Sequence, residues 1–296
     1  MTTRRDFIKQ TGLAAAAVMF VPSLACTTVG ISRKAGIQLY TLRDLLPKDV
    51  RGVIAKVAGA GYEEVEPFGY SVKDGFWGLP AKDFAQLLKE NNLKAPSAHY
   101  DMTTYINGDD TVFKSYIDAA HVLGHQYIVV PWLDEKLRTS IDNYKSIAAK
   151  FNQAGEWCKK EGLQLAYHNH NFEFQKHGDS IGYDIFLKET DPDLVKFELD
   201  LYWVVRAGYN PVKLFQQHPG RFVMWHVKDM DKQHPELNTE VGNGSIDFKR
   251  IFAYQKLSGV QHFYMEQENN YKPNELESIR ASCSYIKSDL FTVKAK

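Results

Sequence analysis

The chain has 296 residues, a length that suits one α/β domain of roughly 250 residues better than two separate domains. Lysine plus arginine number 36 and aspartate plus glutamate also number 36, so the formal net charge is zero with histidine neutral. This balance offers no general electrostatic attraction for nucleic acid or for an anionic membrane.

The first 30 residues have the features of a twin-arginine export signal. Arg4 and Arg5 precede a mildly apolar run at 12–21, which is too short to span a bilayer. We therefore expect residues 1–30 to be an export signal, residues 31–296 to be the folded domain, and the protein to be exported to the periplasm.

One of the three cysteines, Cys26, lies near the end of this segment. Small residues before Cys26 predict a cleavage site, and Cys26 is a candidate for lipid modification, although Ser23 stands where a lipobox usually has an aliphatic residue. A lipid anchor at Cys26 is the one membrane contact that we expect. Cys158 and Cys283 lie on predicted helices without a CxxC spacing, so neither a disulfide framework nor a cysteine metal cluster is expected.

Strand-like and helix-like stretches alternate along the rest of the chain. Apolar runs predict eight β-strands, at 36–40, 63–66, 95–100, 127–131, 164–168, 196–200, 222–227 and 262–266. Apolar spacings of three and four, with turn residues behind them, predict helices at 48–60, 81–92, 110–123, 141–160, 183–189, 211–217, 246–256 and 274–290.

Eight strand–helix units in succession predict parallel strands joined by helical crossovers. Such strands can close into a single (β/α)8 TIM barrel, which is the fold that we expect. An open doubly wound sheet is the alternative, but no glycine-rich phosphate loop follows the first predicted strand. The stretch 228–245 is long for a strand–helix connection and is expected to cover the mouth of the barrel.

Several predicted strands end in a side chain that can bind a metal ion. Asp200, His226 and Glu266 close the last three strands, and the stretch 168–173 follows the fifth. Because the C-terminal ends of barrel strands meet at one mouth, we expect these groups to surround a single ion. The competing explanations are a helix-capping carboxylate at Asp200 and a satisfied core histidine at His226.

The stretch 168–173 holds His168, His170 and Glu173 within six residues. We expect at least one of them to be a ligand and another to be an acid or base, but spacing does not decide which. Lys228 shares a strand face with His226 and could shuttle a proton or neutralise an enolate oxygen.

Earlier strand ends supply further candidates. His99 is expected to take part in catalysis, and aromatic rings near the ligands could stack on the apolar face of a sugar. The residues expected to contact substrate are Gln38, Glu66, Tyr100, Trp132 and Trp203.

A set with more carboxylates than imidazoles favours Mn²⁺, Mg²⁺, Co²⁺ or Zn²⁺. One such ion can hold two adjacent oxygens of a sugar and stabilise the enediolate that forms when a proton leaves the carbon beside a carbonyl. Isomerisation, epimerisation, dehydration and β-elimination all begin with this step.

The order of these segments resembles the xylose-isomerase-like TIM-barrel family, from about residue 35 to the C-terminus. The segments that carry the resemblance are Gly36-Ile37-Gln38-Leu39-Tyr40, Gly61-Tyr62-Glu63-Glu64-Val65-Glu66, Tyr167-His168-Asn169-His170, Phe197-Glu198-Leu199-Asp200, His226-Val227-Lys228-Asp229 and Tyr264-Met265-Glu266. The family includes sugar phosphate isomerases and epimerases and inosose dehydratase. The resemblance therefore implies a metal-dependent sugar isomerase, epimerase, dehydratase or keto-glycoside lyase.

In the epimerase members the metal is held by Glu, Asp, His and Glu, and Asp200, His226 and Glu266 match the last three. The first position holds His168 here, so the resemblance implies either His168 or Glu173 as the fourth ligand, and Glu173 is preferred. The catalytic residues that we expect from the residues themselves are His168, His170, Lys228 and His99, and the change at His168 departs from the pair of glutamates that acts as acid and base in the epimerases.

We expect a small-molecule sugar as the partner, and not a phosphorylated one if the protein is exported. The alternative is a non-catalytic periplasmic carbohydrate-binding barrel. A phosphodiesterase acting on nucleic acid is not expected, because no aromatic–basic stripe supports it. The sequence does not predict an oligomeric state.

Overall fold

A computed structural model describes residues 33–296 of the chain. The predicted export signal at 1–30 and the candidate lipid site at Cys26 lie outside these residues. The predicted (β/α)8 TIM barrel is confirmed, since eight parallel strands alternate with helices and form one nearly closed sheet. The strands are β1 (Ala35–Gln38), β2 (Glu64–Glu66), β3 (Ser97–His99), β4 (Tyr127–Val130), β5 (Gln164–His168), β6 (Val195–Asp200), β7 (Phe222–Val227) and β8 (His262–Met265).

Neighbouring strands of the barrel are hydrogen-bonded in the order β2-β1-β8-β7-β6-β5-β4-β3. Backbone bonds complete the circle between β2 and β3. The Val65 N–H donates to the Lys94 carbonyl at 2.8 Å, and the His99 N–H donates to the Pro67 carbonyl at 2.8 Å. The barrel therefore has no long open edge, and all eight strand ends surround one mouth.

Helices cover the outside of the sheet. They are α1 (Val50–Gly59), α2 (Ala81–Glu90), α3 (Thr103–Ile106), α4 (Thr111–Leu123), α5 (Ile141–Lys160), α6 (Gly182–Glu189), α7 (Leu201–Arg206), α8 (Pro211–Gln217), α9 (Phe248–Phe252), α10 (Gln255–Ser258) and α11 (Glu275–Tyr285). Short 3₁₀ turns stand at Leu39–Leu42, Glu135–Leu137 and Phe172–Phe174, and a π-helical turn at Ile286–Leu290 follows α11.

One helix prediction differs from the structure in a physical detail, and two short helices were not predicted. The helix expected at 246–256 is divided into α9 and α10, and between them the Ala253 carbonyl accepts the N–H of Lys296 at 2.8 Å instead of a helical N–H. The short helices α3 and α7 were not predicted, because four to six residues carry too little periodicity to be seen in the sequence.

The barrel interior changes character from bottom to top. Inward side chains near the bottom form an apolar cluster of their own, made of Tyr127, Val129, Ala166, Val223, Met224 and Tyr264. Gly36 on β1 lets the Tyr264 ring approach, because a Cβ there would lie 2.5 Å from it. Above this cluster the inward side chains are mainly carboxylates and imidazoles. One further buried polar pair, Glu64 Oε2 and His262 Nδ1 at 2.8 Å, lies at the level of the cluster itself.

The long loop after β7 is organised by one buried carboxylate. Asp229 accepts the backbone N–H groups of Met230, Gly242, Gly244 and Ile246. Asp229–Met230 also pairs with Asn238–Thr239 in a short antiparallel ladder.

In the described part of the chain, no helix combines the length and the apolar character needed to cross a membrane.

The buried His125 predicts a pH-dependent stability that is independent of the barrel mouth. Burial lowers the pKa of His125 to about 4, although its bond to the Ala95 carbonyl opposes the shift. Since the unfolded chain takes up this proton at higher pH, stability is full above about pH 6.5 and is lost as the pH falls toward 4. The loss assigned to His125 is about 3 kcal/mol, to be measured by denaturant unfolding from pH 7 to pH 4.

In the His125→Asn variant, the amide can still donate to Ala95, and this part of the pH dependence should disappear. The exposed His234 provides the matched control, because its His234→Asn variant should keep the wild-type slope. Identical slopes for wild type and His125→Asn would contradict the assignment.

Candidate active site

A cavity of about 580 Å³ opens at the C-terminal ends of the strands. This volume lies within the range of sites that hold small molecules. Its walls combine aromatic rings with imidazoles and carboxylates, namely Tyr40, Phe68, Gly69, Tyr70, His99, Asp101, Pro131, Trp132, His168, His170, Trp203, Glu266 and Glu268.

Asp200, His226 and Glu266 meet beside this cavity. Each offers one ligand atom, and these three atoms lie within 4.8 Å of one another. His226 Nδ1 is 3.1 Å from Glu266 Oε2. The strands explain the meeting, because Asp200 and His226 are register partners on β6 and β7, and Glu266 directly follows β8.

Asp200 uses its two carboxylate oxygens differently. Oδ1 accepts the Trp203 N–H at 3.0 Å and so caps α7. Oδ2 is buried and has no hydrogen-bond partner within residues 33–296. It lies 3.8 Å from Lys228 Nζ and 4.0 Å from His168 Nε2.

Lys228 supplies a fixed positive charge at the same place. Its ammonium is fully buried, lies 3.1 Å from Glu266 Oε2 and contacts Glu268. Burial alone would lower the pKa of Lys228, but Glu266, Glu268 and Asp200 raise it above its usual value. Lys228 is therefore a cation in this arrangement and not a free base.

The two carboxylates of this cluster ionise differently. Burial raises the pKa of Asp200 to about 7 in spite of the nearby Lys228. Burial also disfavours the charged form of Glu266, but Lys228 and His226 outweigh it and hold the pKa of Glu266 well below its usual range. Without an added ion, burial therefore favours the protonated form of Asp200, whereas Glu266 stays ionised beside Lys228 and His226.

A second group of donors lies inside the barrel, made of His99, His168, Glu198 and His226. Glu198 Oε2 is 2.8 Å from His99 Nε2 and 3.1 Å from His168 Nδ1. Burial and Glu66 disfavour the charged form of Glu198, but its neighbours His226 and His168 lower its pKa to about 2. Burial lowers the pKa of His99, whereas Glu66 and Glu198 together raise it to about 9.

Two of the five expected substrate contacts line the cavity. Trp132 and Trp203 line it, and Trp132 is 46% exposed at the rim. Glu66 lies fully buried below, where its Oε2 accepts from Gln38 Nε2 at 2.8 Å. Gln38 and Glu66 therefore brace the interior and are not among the lining residues.

The structure places Tyr100 away from the cavity lining. Neighbouring residues of a strand point to opposite faces, so Tyr100 faces the helices when His99 faces the barrel. Its ring packs 4.7 Å from Tyr116 and 6.1 Å from Tyr70 in the outer core. It is buried and does not line the cavity.

Glu173 is held away from both donor groups. Its Oε1 accepts from the Tyr167 hydroxyl at 2.6 Å and its Oε2 from the His170 N–H at 2.9 Å. Burial raises the pKa of Glu173 to about 7, although these bonds oppose the shift. The ligand role preferred for Glu173 is not supported by this placement, since the carboxylate instead fixes the backbone that carries His170.

His170 lies in the wall of the cavity between aromatic rings. Its ring stacks on Phe172 at 5.5 Å and meets the edge of Trp132 at 4.9 Å. Its Nδ1 has no hydrogen-bond partner in the described chain. Burial, and then the charge of Lys228, lower the pKa of His170 to about 3, so the imidazole is neutral at pH 7.

Sequence reasoning missed the roles of Glu198 and Glu268. Glu198 lies on the same strand face as Asp200, and Glu268 stands two residues after Glu266. The alternation of side chains along a strand could therefore have identified both glutamates. Tyr40, Phe68 and Asp101 also line the cavity and follow β1, β2 and β3. Their positions just beyond strand ends could have been identified in the same way.

The residues present fit a divalent ion. Ligands about 2.0–2.2 Å from one ion lie roughly 3.3 Å apart in a tetrahedron. The spacing of 3.1 Å between His226 Nδ1 and Glu266 Oε2 is compatible with that arrangement. His168 Nε2 lies 4.0 Å from Asp200 Oδ2 but is not one of the three donors that lie within 4.8 Å of one another, so it would have to move closer to complete a tetrahedron. The buried Asp200 oxygen without a partner is the atom that such an ion would satisfy.

Comparison with known proteins gives concordant results. A family model described as a xylose isomerase-like TIM barrel matches residues 54–288. An inosose dehydratase of Lacticaseibacillus casei is 24% identical over 261 residues, which cover 77% of this chain and 85% of that protein. An inosose dehydratase of Mesomycoplasma hyopneumoniae (strain 7448) is 26% identical over 274 residues, which cover 79% of this chain and 87% of that protein.

Solved structures share the fold. A sugar phosphate isomerase/epimerase from Parabacteroides distasonis ATCC 8503 has a TM-score of 0.77 and 28% identity, covering 89% of this chain and 97% of its own. The IOLI protein with a bound zinc atom has a TM-score of 0.68 and 17% identity, covering 88% of this chain and 99% of its own.

Replacing the buried cation tests the charge balance of the site. In Lys228→Met the carboxylates of Asp200, Glu266 and Glu268 lose their fixed counter-charge. We expect the metal-free protein to lose about 3–5 kcal/mol of unfolding free energy, the cost of removing one partner from a buried ion pair. Denaturant unfolding in the presence of a chelator measures this loss.

The control is Lys249→Met, which removes an exposed lysine that pairs with Asp289 at 2.8 Å. An exposed pair contributes at most about 1 kcal/mol, so this variant should be close to wild type. Equal losses for the two variants would show that Lys228 is not compensating buried charge.

Proposed function

The chain belongs to the xylose isomerase-like TIM-barrel family, and we propose that it is a divalent-metal-dependent enzyme that removes a proton from the carbon beside a carbonyl of a keto-sugar or oxidised polyol. The single observation that carries this proposal is the meeting of Asp200, His226 and Glu266 beside a cavity whose lining includes Glu266 and His170. The relatives named inosose dehydratase support elimination after this step, and the neighbour named sugar phosphate isomerase/epimerase supports isomerisation.

The charge of the cavity supports an uncharged substrate. Three carboxylates, Asp101, Glu266 and Glu268, line it, and within the described residues its lining contains neither lysine nor arginine. Lys228 is nearby but already engaged by Glu266 and Glu268. The lining offers a phosphate group no lysine or arginine of its own, so a neutral sugar fits better.

The proposed ligands are His168, Asp200, His226 and Glu266. His168 Nε2 faces Asp200 Oδ2, whereas both oxygens of Glu173 are already engaged. When bound, the ion would polarise the substrate carbonyl as a Lewis acid and so stabilise the negative charge that develops on its oxygen.

The chain's own residues would carry the proton and the substrate. His170 is the proposed base, because its ring borders the cavity and its imidazole is neutral at pH 7. The Lys228 ammonium would stabilise developing negative charge without giving up its proton. Trp132 and Trp203 offer ring faces for the apolar side of a sugar.

Export remains part of the proposal. It is supported by the arginine pair Arg4 and Arg5 before the apolar run at 12–21. A neutral sugar also agrees with a location outside the cytoplasm. A lipid anchor at Cys26 would be the one expected membrane contact.

The fourth ligand can be identified by metal content. We expect His168→Gln to lower metal affinity by more than the roughly 100-fold that loss of an outer-shell partner costs, because it removes a ligand atom. Glu173→Gln should retain the metal, since that carboxylate contacts Tyr167 and His170 instead. Affinity is measured by competition with a chelator, and the reverse order of the two variants would assign the ligand to Glu173.

Proton abstraction can be measured without knowing the product. The metal-loaded protein, incubated in D₂O with a panel of keto-sugars, should exchange the proton beside the carbonyl, as followed by NMR. We expect His170→Gln to slow this exchange by about 10²–10⁴-fold, the usual contribution of a general base, and Asp200→Ala to abolish it.

His177 provides a control, because it stands on a hairpin with its ring 5.7 Å from Tyr144 and is not among the cavity residues. His177→Gln should exchange at the wild-type rate. Tight sugar binding without exchange by the wild type would refute the enzyme and favour a carbohydrate-binding barrel.

A further inference from the structure

A layer of buried ionisable groups lies directly beneath the proposed metal ligands. Its members are Glu66, His99 and Glu198, of which the two glutamates are 0% exposed and His99 is 8% exposed. The strand period explains the layer, because Glu198 is two residues before Asp200 on the same face of β6. The proposed mechanism uses none of these three groups.

Glu198 contacts both imidazoles of the proposed ligand set through one oxygen. Its Oε2 lies 3.1 Å from His168 Nδ1 and 3.1 Å from His226 Nε2. The opposite nitrogens of the two rings face the upper carboxylates. His168 Nε2 is 4.0 Å from Asp200 Oδ2, and His226 Nδ1 is 3.1 Å from Glu266 Oε2.

Glu66 and His99 complete the layer. Glu66 Oε2 lies 2.9 Å from His226 Nε2 and accepts from Gln38. His99 Nε2 lies between the two carboxylates, 3.2 Å from Glu66 Oε2 and 2.8 Å from Glu198 Oε2. An imidazole between two buried carboxylates can donate to one of them and reduce their mutual repulsion.

This layer could in principle bind an ion of its own, since His99, His168, Glu198 and His226 are close enough to share one. That arrangement would leave His168 and His226 with a cation at both ring nitrogens once the upper ion is present. A neutral imidazole has one lone pair for a metal and one N–H for an acceptor. Two ions would therefore require both rings to lose their second proton.

We propose that Glu198 is the positioning residue of the metal centre, accepting N–H groups from His168 Nδ1 and His226 Nε2 and so directing His168 Nε2 and His226 Nδ1 toward the ion. The proposal rests on the metal centre of the proposed function. A carboxylate behind a metal-binding imidazole fixes its tautomer and ring orientation and makes it a better ligand. Here one carboxylate does this for two ligands on neighbouring strands.

The test uses the full chain loaded with Zn²⁺ and the isosteric variant Glu198→Gln. We expect a 10- to 100-fold loss of Zn²⁺ affinity in competition with a chelator, the usual effect of an outer-shell change. In ¹⁵N NMR of histidine-labelled wild type, His168 should be protonated at Nδ1 and His226 at Nε2. In the variant at least one of these rings should lose its single tautomer, because a neutral amide oxygen accepts an N–H more weakly than a carboxylate oxygen does.

Glu64 offers a matched control. It is also a buried glutamate inside the barrel and lies 2.8 Å from His262 Nδ1, but one layer farther from the mouth. Glu64→Gln should keep wild-type Zn²⁺ affinity and leave both ligand rings unchanged. If Glu198→Gln does not fold, Glu198→Asp serves instead, because it keeps the charge but withdraws it by one methylene.

Three results would overturn the proposal. Unchanged affinity and unchanged tautomers in Glu198→Gln would make Glu198 a structural residue only. Two Zn²⁺ ions per chain, with one lost in Glu198→Gln, would make the lower layer a metal site. Absence of Zn²⁺ binding by the wild type would remove the centre itself. Proton exchange is not a readout here, so failure of the proposed reaction would leave this inference intact.

Discussion

The site depends on one constraint, which is that charge buried inside a parallel barrel must be matched by charge or hydrogen bonds at close range. Moving an unpaired carboxylate out of water costs several kcal/mol even after relaxation. The inward carboxylates Glu64, Glu66, Glu198, Asp200 and Glu266 each lie within 4.0 Å of a lysine or an imidazole. Because those partners come from other strands, the charge network and the strand register support each other.

Much of this arrangement follows from simple periodicities in the sequence. The alternation of strands and helices predicts the barrel, and strand ends predict that Asp200, His226 and Glu266 come together. The same period of two would have excluded Tyr100, since it is adjacent to the inward His99. A residue next to a site residue in sequence therefore need not lie next to it in space.

Other features depend on tertiary contacts that periodicity does not encode. The position of Glu173 is decided by the Tyr167 hydroxyl, whose bond to Glu173 draws the carboxylate back toward its own strand. The role of Glu198 depends on the barrel stagger, which sets it beside both His168 and His226. A single sequence shows which residues share one face of a strand, but not how far neighbouring strands are shifted along each other. It therefore predicts the candidate site residues and not the contacts between them.

The two interpretations that the sequence offered for Asp200, a cap of the following helix and a metal ligand, are compatible in the structure. Oδ1 accepts the Trp203 N–H and caps α7, while Oδ2 remains without a hydrogen-bond partner in the chain that the structure describes. The cap fixes the rotation of the carboxylate, so Oδ2 is held in place before any ion arrives. It also ties Trp203, a wall of the cavity, to the same carboxylate. One side chain thereby couples the position of the proposed metal ligand to the surface against which a sugar would lie.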